Sequence, residues 1–364
     1  MKRRIFALVI TLMMLVGLVG CSTQGEDQTE QQKQEPEEGE STELIVYGWS
    51  GNWDLWFADW AKEFEEEYGI NIKYISGQGT AMRERIVAED AAQSDIFIST
   101  PGDAFLLGNQ GYLADIPYED IPSAADVDEG FKYPQVCIWG YDVYSIAYNP
   151  DFVSDDEAPK SWKELSEEKW AGQVGMPLIT DDTASRPAMI LEEAYGREEM
   201  LNMLEGMYKN SSVLFDTPGR MESAIATGQC MVSPLALGNC NVVINEAGGN
   251  VRLTNPEEGC FIMMNSMTIM KNAPHYDAAV KFMEFYLSPK RQNNIMNELG
   301  ISIAVNNTVE MDSEALSVPL GDLTTQEIID NAIFPDWEAW MVTDENDVTK
   351  YQELMNSMQE RIKQ

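Results

Sequence analysis

The chain has almost no histidine. Only His275 occurs in 364 residues, in "KNAPHYD", which reads as a surface turn before a helix. The commonest general base and metal ligand are therefore missing from the rest of the chain. Cysteine is sparse too. Apart from Cys21 there are Cys137, Cys230, Cys240 and Cys260, and no two have the close C-x-x-C spacing of a zinc site. Buried free thiols and a single bridge fit these four equally well. No G-x-S-x-G elbow, HExxH or Walker motif is present, which points away from catalysis and from a bound metal or cofactor. Only a glycosidase-like carboxylate pair survives this count as an enzymatic alternative. Positive charge is scarce, 24 Lys and Arg against 61 Asp and Glu, for a net charge of −37. Such a chain is a poor partner for nucleic acid or for anionic lipid surfaces. No apolar run reaches the roughly 20 residues of a spanning helix, and no internal repeat is visible.

The longest apolar run, Ile5 to Gly20, follows Lys2-Arg3-Arg4 and ends in Leu18-Val19-Gly20-Cys21. A basic start, a short apolar core and a small residue before the cleavage point predict a secretory signal over 1–20. The last four residues resemble a bacterial lipobox, which implies that Cys21 is acylated (palmitate is the expected kind of group) and becomes the mature N-terminus. Lipid would then hold the protein on the outer face of the cell membrane. Residues 22–42, "STQGEDQTEQQKQEPEEGEST", are acidic and Gln-rich without apolar anchors, and they read as a disordered tether.

From residue 43, short apolar runs alternate with helical periods. "ELIVYG", "NIKYIS" and "SDIFIST" read as strands, separated by helices over Asn52–Tyr68 and Thr80–Asp90. "GYDVYSIAYNP" reads as one long extended segment. A second unit follows with its own alternation: "QVGMPLI", helices over Pro187–Tyr195 and Glu198–Met207, "SSVLF", a helix over Gly219–Thr227, and "CMVSPLA". "GCFIMMNSMTIM" is a strand leading back to the first unit, Ala278–Leu287 is a helix, and Thr324–Lys363 reads as largely helical. This is an α/β class with two units.

Several segments together carry a family resemblance: "FADWAKEFEEEYGINIKYISG", "SDIFISTPGDAFLLGNQGYLADIP", "YSIAYNPDFV", "PKSWKELSEEKWAGQVGMP" with Ser161, Trp162, Leu165, Trp170, Gly172 and Val174, "AIATGQCMVS", and the dense stretch from Pro256 to Asn306. Their order resembles the extracellular solute-binding lipoproteins of ABC importers, in the group that includes ferric-ion, thiamine, phosphonate and polyamine binders. The resemblance implies the type II periplasmic-binding-protein fold. That fold has two α/β lobes joined by crossing strands, a ligand cleft between them, closure about a hinge and a helical C-terminal region. The implied segments are 43–147 (first lobe), 148–259 (second lobe), 260–305 (return to the first lobe) and 306–364 (helical region). It also implies a small solute and a membrane permease complex as partners, with the protein acting as a monomer.

Ligands of open α/β sheets sit beyond the carboxyl ends of strands, near helix N-termini. That rule selects Trp49 and Ser50 after the first strand, Gly77, Gln78, Gly79 and Thr80 after the second, and Ser99 and Thr100 after the third. In the second unit it selects Asp182, Thr183, Ser185 and Arg186, then Thr217 and Arg220, then Asn239, with Asn265 on the return strand. Trp139 and Tyr141 enter the crossing strand and join the list. Capping and turn chemistry alone would account for any one of these residues; the case rests on all the loops facing one side. Trp53, Trp56, Phe57, Trp60 and Phe64 follow helical spacing and read as a core stripe, whereas Trp49 stands outside it.

Ferric binders of the group hold iron through adjacent tyrosines, and the matching "SPLALGNCN" has none. Polyamine binders show a Trp and an Asp where this chain has Met263 and Asn265, although Trp49, Trp139, Tyr141, Asp181 and Asp182 could hold an ammonium group. The Ser/Thr/Gly loops with Arg186 or Arg220 favour an anionic or zwitterionic organic solute, such as a phosphonate or phosphate ester. A sensor lipoprotein is the third alternative.

Overall fold

The computed structural model describes residues 43–245, 248–311, 318–346 and 348–363. The expected signal, Cys21 and the acidic tether lie outside the described residues. The body is built on one path of hydrogen-bonded strands in the order β2-β1-β3-β9-β4-β7-β5-β6. The first half holds β1 (Glu43–Trp49), β2 (Asn71–Gly77) and β3 (Ile96–Ser99); the other holds β5 (Val174–Pro177), β6 (Ser211–Phe215) and β7 (Val232–Ala236). Pairing within each of these sets is parallel, with helices as crossovers. Two long antiparallel strands, β4 (Cys137–Tyr148) and β9 (Cys260–Ile269), join the halves. β8 (Arg252–Leu253) and β10 (Ile303–Ala304) pair with β4, and β11 (Ala332–Ile333) pairs with β9.

Helix α1 (Asn52–Tyr68) falls where the apolar period places it. The Asp54 carboxylate accepts the Gly51 N–H at 2.8 Å and caps the start. Gly69, at φ 71°, ends the helix in the left-handed conformation, its N–H donating to Glu65 O. Phe57, Trp60 and Phe64 are buried against the sheet and against α8 (Tyr276–Leu287). Phe57 stacks on Tyr74 with centroids 4.0 Å apart. Buried Arg291 lies between the rings of Trp60 and Phe285 at 5.1 and 4.6 Å, and its charge is met by Glu63 at 3.0 Å.

Helices α2 (Gly79–Ala88) and α3 (Pro101–Asn109) serve the first half. Helices α4 (Ser185–Tyr195), α5 (Arg197–Lys209), α6 (Pro218–Ala226) and α7 (Leu237–Asn245) serve the second. Helix α7 is an addition to the sequence reading: "LGNCNVVIN" leaves β7 directly into a helix. The tail is less helical than its pattern suggests. It holds short helices at Thr325–Asp330 and Trp337–Trp340 and a longer one at Lys350–Arg361, with β11 between the first two. This tail touches both halves. Trp337 packs where Gly102 of α3 leaves room, and Asn109 donates to Met341 O at 3.1 Å. The Lys350–Arg361 helix meets the other half through Tyr351, whose hydroxyl donates to Ser185 Oγ at 3.3 Å, and through Arg361, which pairs with Glu205 at 2.9 Å. Trp337 and Tyr351 pack edge to face, 5.6 Å apart. All four described cysteines are buried and free.

Replacing Trp60 by Ala should cost about 3–5 kcal/mol of unfolding free energy, because a buried ring leaves a cavity and exposes the Arg291 stack. The exposed Leu55→Ala on the same helix should change it by less than about 0.5 kcal/mol. Urea titrations of both variants measure the difference.

Candidate functional site

The loops at the carboxyl ends of β1, β2 and β3 face those of β5, β6 and β7 across a cleft of about 450 Å³. Its floor is the β4–β9 ladder. Asp142 and Gly140 of β4 stand opposite Met263 and Asn265 of β9, so that alternate residues of both strands present one face upward. Asn265 is held in place by donating to Ser302 Oγ at 3.2 Å.

One wall is aromatic. Tyr74 donates its hydroxyl to Trp49 O and fixes the end of β1. The Trp49 and Trp53 rings lie 4.9 Å apart, and Trp56 meets the edge of Trp53 at 5.2 Å. All three line the cleft. The expected core stripe holds in graded form: Phe57, Trp60 and Phe64 are buried, while Trp53 and Trp56, at the start of α1, are partly buried against the same core and share the cleft wall with Trp49.

The rest of the lining is dominated by carboxylates. Asp103 sits in the first turn of α3, backed by Arg83 Nε at 3.1 Å. It reaches the cleft past Gly79, where a Cβ would stand 3.1 Å from Asp103 Oδ2 and 3.7 Å from Trp49 Nε1. Asp142 accepts the N–H groups of Val143 at 2.7 Å and Gly238 at 3.0 Å, the latter at the start of α7. Asp181 caps its own turn through Thr183 N and Oγ1 at 2.9 and 2.7 Å. Asp182 faces Arg186 at 3.8 Å, whose guanidinium lies 4.8 Å over the ring of buried Tyr144. Glu222 accepts from Asn239 at 2.8 Å. Asp216 pairs with Arg220 at 3.1 Å. Among the described residues, six carboxylates and one guanidinium line the cleft. Burial pushes the Asp142 carboxyl up to about 7, against the backbone N–H groups of Gly238, Val143 and Leu237 and against Arg186. Burial likewise raises Asp103 to about 6, opposed by Arg83 and assisted by Asp181. Asp182 is raised by desolvation, with Arg186 opposing and Asp181 and Asp103 assisting.

Of the residues singled out in the sequence, Trp49, Ser50, Gly77, Gln78, Gly79, Thr100, Asp182, Thr183, Arg186, Thr217, Asn239 and Asn265 line this cleft. The others lie outside its lining. Ser99 is buried and shares hydroxyl contacts with Ser266 of the neighbouring strand. Trp139 is fully buried against Tyr286 and donates to Ser266 O at 3.2 Å. Tyr141 points to the opposite face, between Phe131 and Phe334. Ser185 bonds back to Asp182 O at 2.6 Å beneath Tyr351. Arg220 points into solvent. Thr80 opens onto a smaller neighbouring cavity of about 180 Å³ that shares Thr100, Asp103 and Asp182 with the cleft. Asp103, Asp142 and Glu222 line the cleft without having been among the residues that the strand-end rule selects. Asp142 carried a usable signal, a lone acid inside the apolar "CIWGYDVYSIAY".

A family model described as "Bacterial extracellular solute-binding protein" matches residues 59–317. The Fe(3+)-binding periplasmic protein of Serratia marcescens is 23% identical, over 74% of this chain and 80% of its own. The spermidine/putrescine-binding periplasmic protein of Escherichia coli is 21% identical, over 68% of this chain and 76% of its own. Among solved structures, the periplasmic binding protein AfuA of Actinobacillus pleuropneumoniae, with fructose-6-phosphate bound, superposes with a TM-score of 0.73 at 19% identity, covering 88% of this chain and 99% of that one.

The raised Asp103 has a pH consequence. A carboxyl whose folded value lies above its unfolded one stabilises the fold at low pH, and that contribution is lost as pH rises through about 6. Relative to Asp103→Asn, the wild type should lose roughly 3 kcal/mol between about pH 4 and pH 7. Paired urea titrations across that range measure it; a difference that stays flat would show that burial does not act on this group.

Proposed function

The chain belongs to the bacterial extracellular solute-binding proteins, and from that premise we propose that its cleft captures a small organic cation, held by its ammonium group, for delivery to an ABC importer. The observation that carries the reading is the lining itself: six carboxylates against one guanidinium, beside a wall of three tryptophans. Ammonium groups bind such walls by cation–π attraction and such carboxylates by charge pairing. The loop chemistry alone favours an anion. The carboxylates outweigh it: six of them face Arg186, so the lining keeps an excess of negative charge even with Asp103, Asp142 and Asp182 partly protonated, and an anion would add charge of the wrong sign.

The relatives bind iron and polyamines by their names, and a solved neighbour holds a sugar phosphate, so the ligand class proposed within the family rests on the lining. Met263 and Asn265 on the floor differ from the Trp and Asp expected of polyamine binders, which favours a compact ammonium compound over a long polyamine. Arg186 in the same cleft supports a second reading, a zwitterion whose anionic end meets the guanidinium. We further assign Cys21 as the lipid-bearing N-terminus that tethers a monomer outside the membrane, beside its permease.

Isothermal titration with choline, putrescine, 2-aminoethylphosphonate, fructose-6-phosphate and ferric citrate tests the ligand class. Binding by the ammonium compounds alone is expected; binding by the anions alone overturns the reading. Trp49→Ala should raise the Kd of the bound cation about tenfold and leave the urea midpoint nearly unchanged.

A further inference from the structure

Two of the lining carboxylates come from opposite halves of the molecule and meet at one place. Asp103 stands on α3 in the first half, and Asp182 follows β5 in the second. Both border the main cleft and the smaller cavity beside it, so with Thr100 they form the partition between the two. We infer that this pair is a charge latch: the halves come together only when a positive charge, from the solute or from protons, lies between Asp103 and Asp182. The inference rests on the cation reading for its natural ligand, but the latch itself acts without one.

Charged groups from several elements surround the pair. Arg83 of α2 neutralises Asp103 at 3.1 Å, and Glu84 of the same helix adds negative field. Arg186 of α4 faces Asp182 at the longer 3.8 Å. Asp181 precedes Asp182 and acts on both carboxyls. Tyr351, from the helix that closes the smaller cavity, is buried and neutral. Two guanidiniums therefore face three aspartates and Glu84, and negative charge stays in excess where the halves meet. In water two such groups would be screened; Asp103 is buried, and the repulsion is correspondingly larger. The halves are close elsewhere as well, since Gln78 Nε2 of the first half donates to Asp216 O of the second at 3.5 Å. The free energy of closure is then set at the partition, and a neutral or anionic solute filling the cleft would leave it unfavourable.

The test uses the solute-free protein in amine-free buffers, read by small-angle X-ray scattering at pH 5 and pH 8. The wild type should be more compact at pH 5, since Asp103 takes up its proton near pH 6. Asp103→Asn and Asp182→Asn should each be compact at both values. Glu66→Gln, an exposed charge removed from α1, should keep the wild-type response. Equal dimensions of the wild type at both values, or a response in the two Asn variants matching the wild type, overturns the latch. Because no solute is present, these outcomes are independent of the ligand panel. A protein that shows the latch yet binds none of the ammonium compounds contradicts only the cation reading.

Discussion

The antiparallel pairing of β4 with β9 is the constraint on which the rest of the molecule depends. The ladder runs from Cys137 opposite Met267 to Tyr144 opposite Phe261, with an irregularity between Ile138 and Gly140. It joins the two parallel sets of strands into one path, and it supplies the cleft floor. Register then decides chemistry. A slip of one residue would turn Asp142 and Asn265 away from the cleft and bring Tyr141 and Met264 into it. Buried polar contacts oppose that slip: Trp139 donates to Ser266 O, Ser266 shares contacts with Ser99, and Asp142 takes two backbone donors. Each would be left unsatisfied inside the protein if the strands moved.

The architecture was legible because it is written in periods. Helix α1 and strand β6 fall where apolar spacing puts them, and Gly69 marks the end of α1. The loops at strand ends were legible for the same reason, and they supply most of the cleft. The central strands were not. A strand buried on both faces carries apolar residues on both, so alternation cannot say which face meets the cleft. Trp139 and Tyr141 are the conspicuous aromatic residues of β4, but the β4 side chain that lines the cleft is Asp142. The same limit applied at α1, where a helical stripe of aromatics continues from the core into the cleft wall. Trp53 and Trp56 share the spacing of Trp60 and pack against the core, but they are only partly buried and also line the cleft; only the tertiary position of the helix start separates wall from core. Asp103 was hidden differently. Its neighbour across the cleft, Asp182, is distant in sequence, and nothing local reports the encounter.

Small residues govern the cleft lining as well. Gly79 and Gly238 are close approaches in which the missing side chain makes room for a carboxylate: a Cβ at Gly238 would stand 2.9 Å from Asp142 Oδ2. Small residues therefore set where the acids reach the lining. Changes at such positions alter charge placement without touching the β4–β9 ladder, which is consistent with relatives of about one-fifth identity that name quite different ligands.

The C-terminal segment adds a mechanical consequence. Two adjacent strands alone form a flexible ribbon that permits bending and twisting alike. A third tie, set off from that ribbon and fastened to α3 through Trp337 and Asn109 and to the opposite half through Tyr351 and Arg361, resists the twist. Any displacement of one half against the other would therefore have to carry or break these contacts as well as bend the two strands.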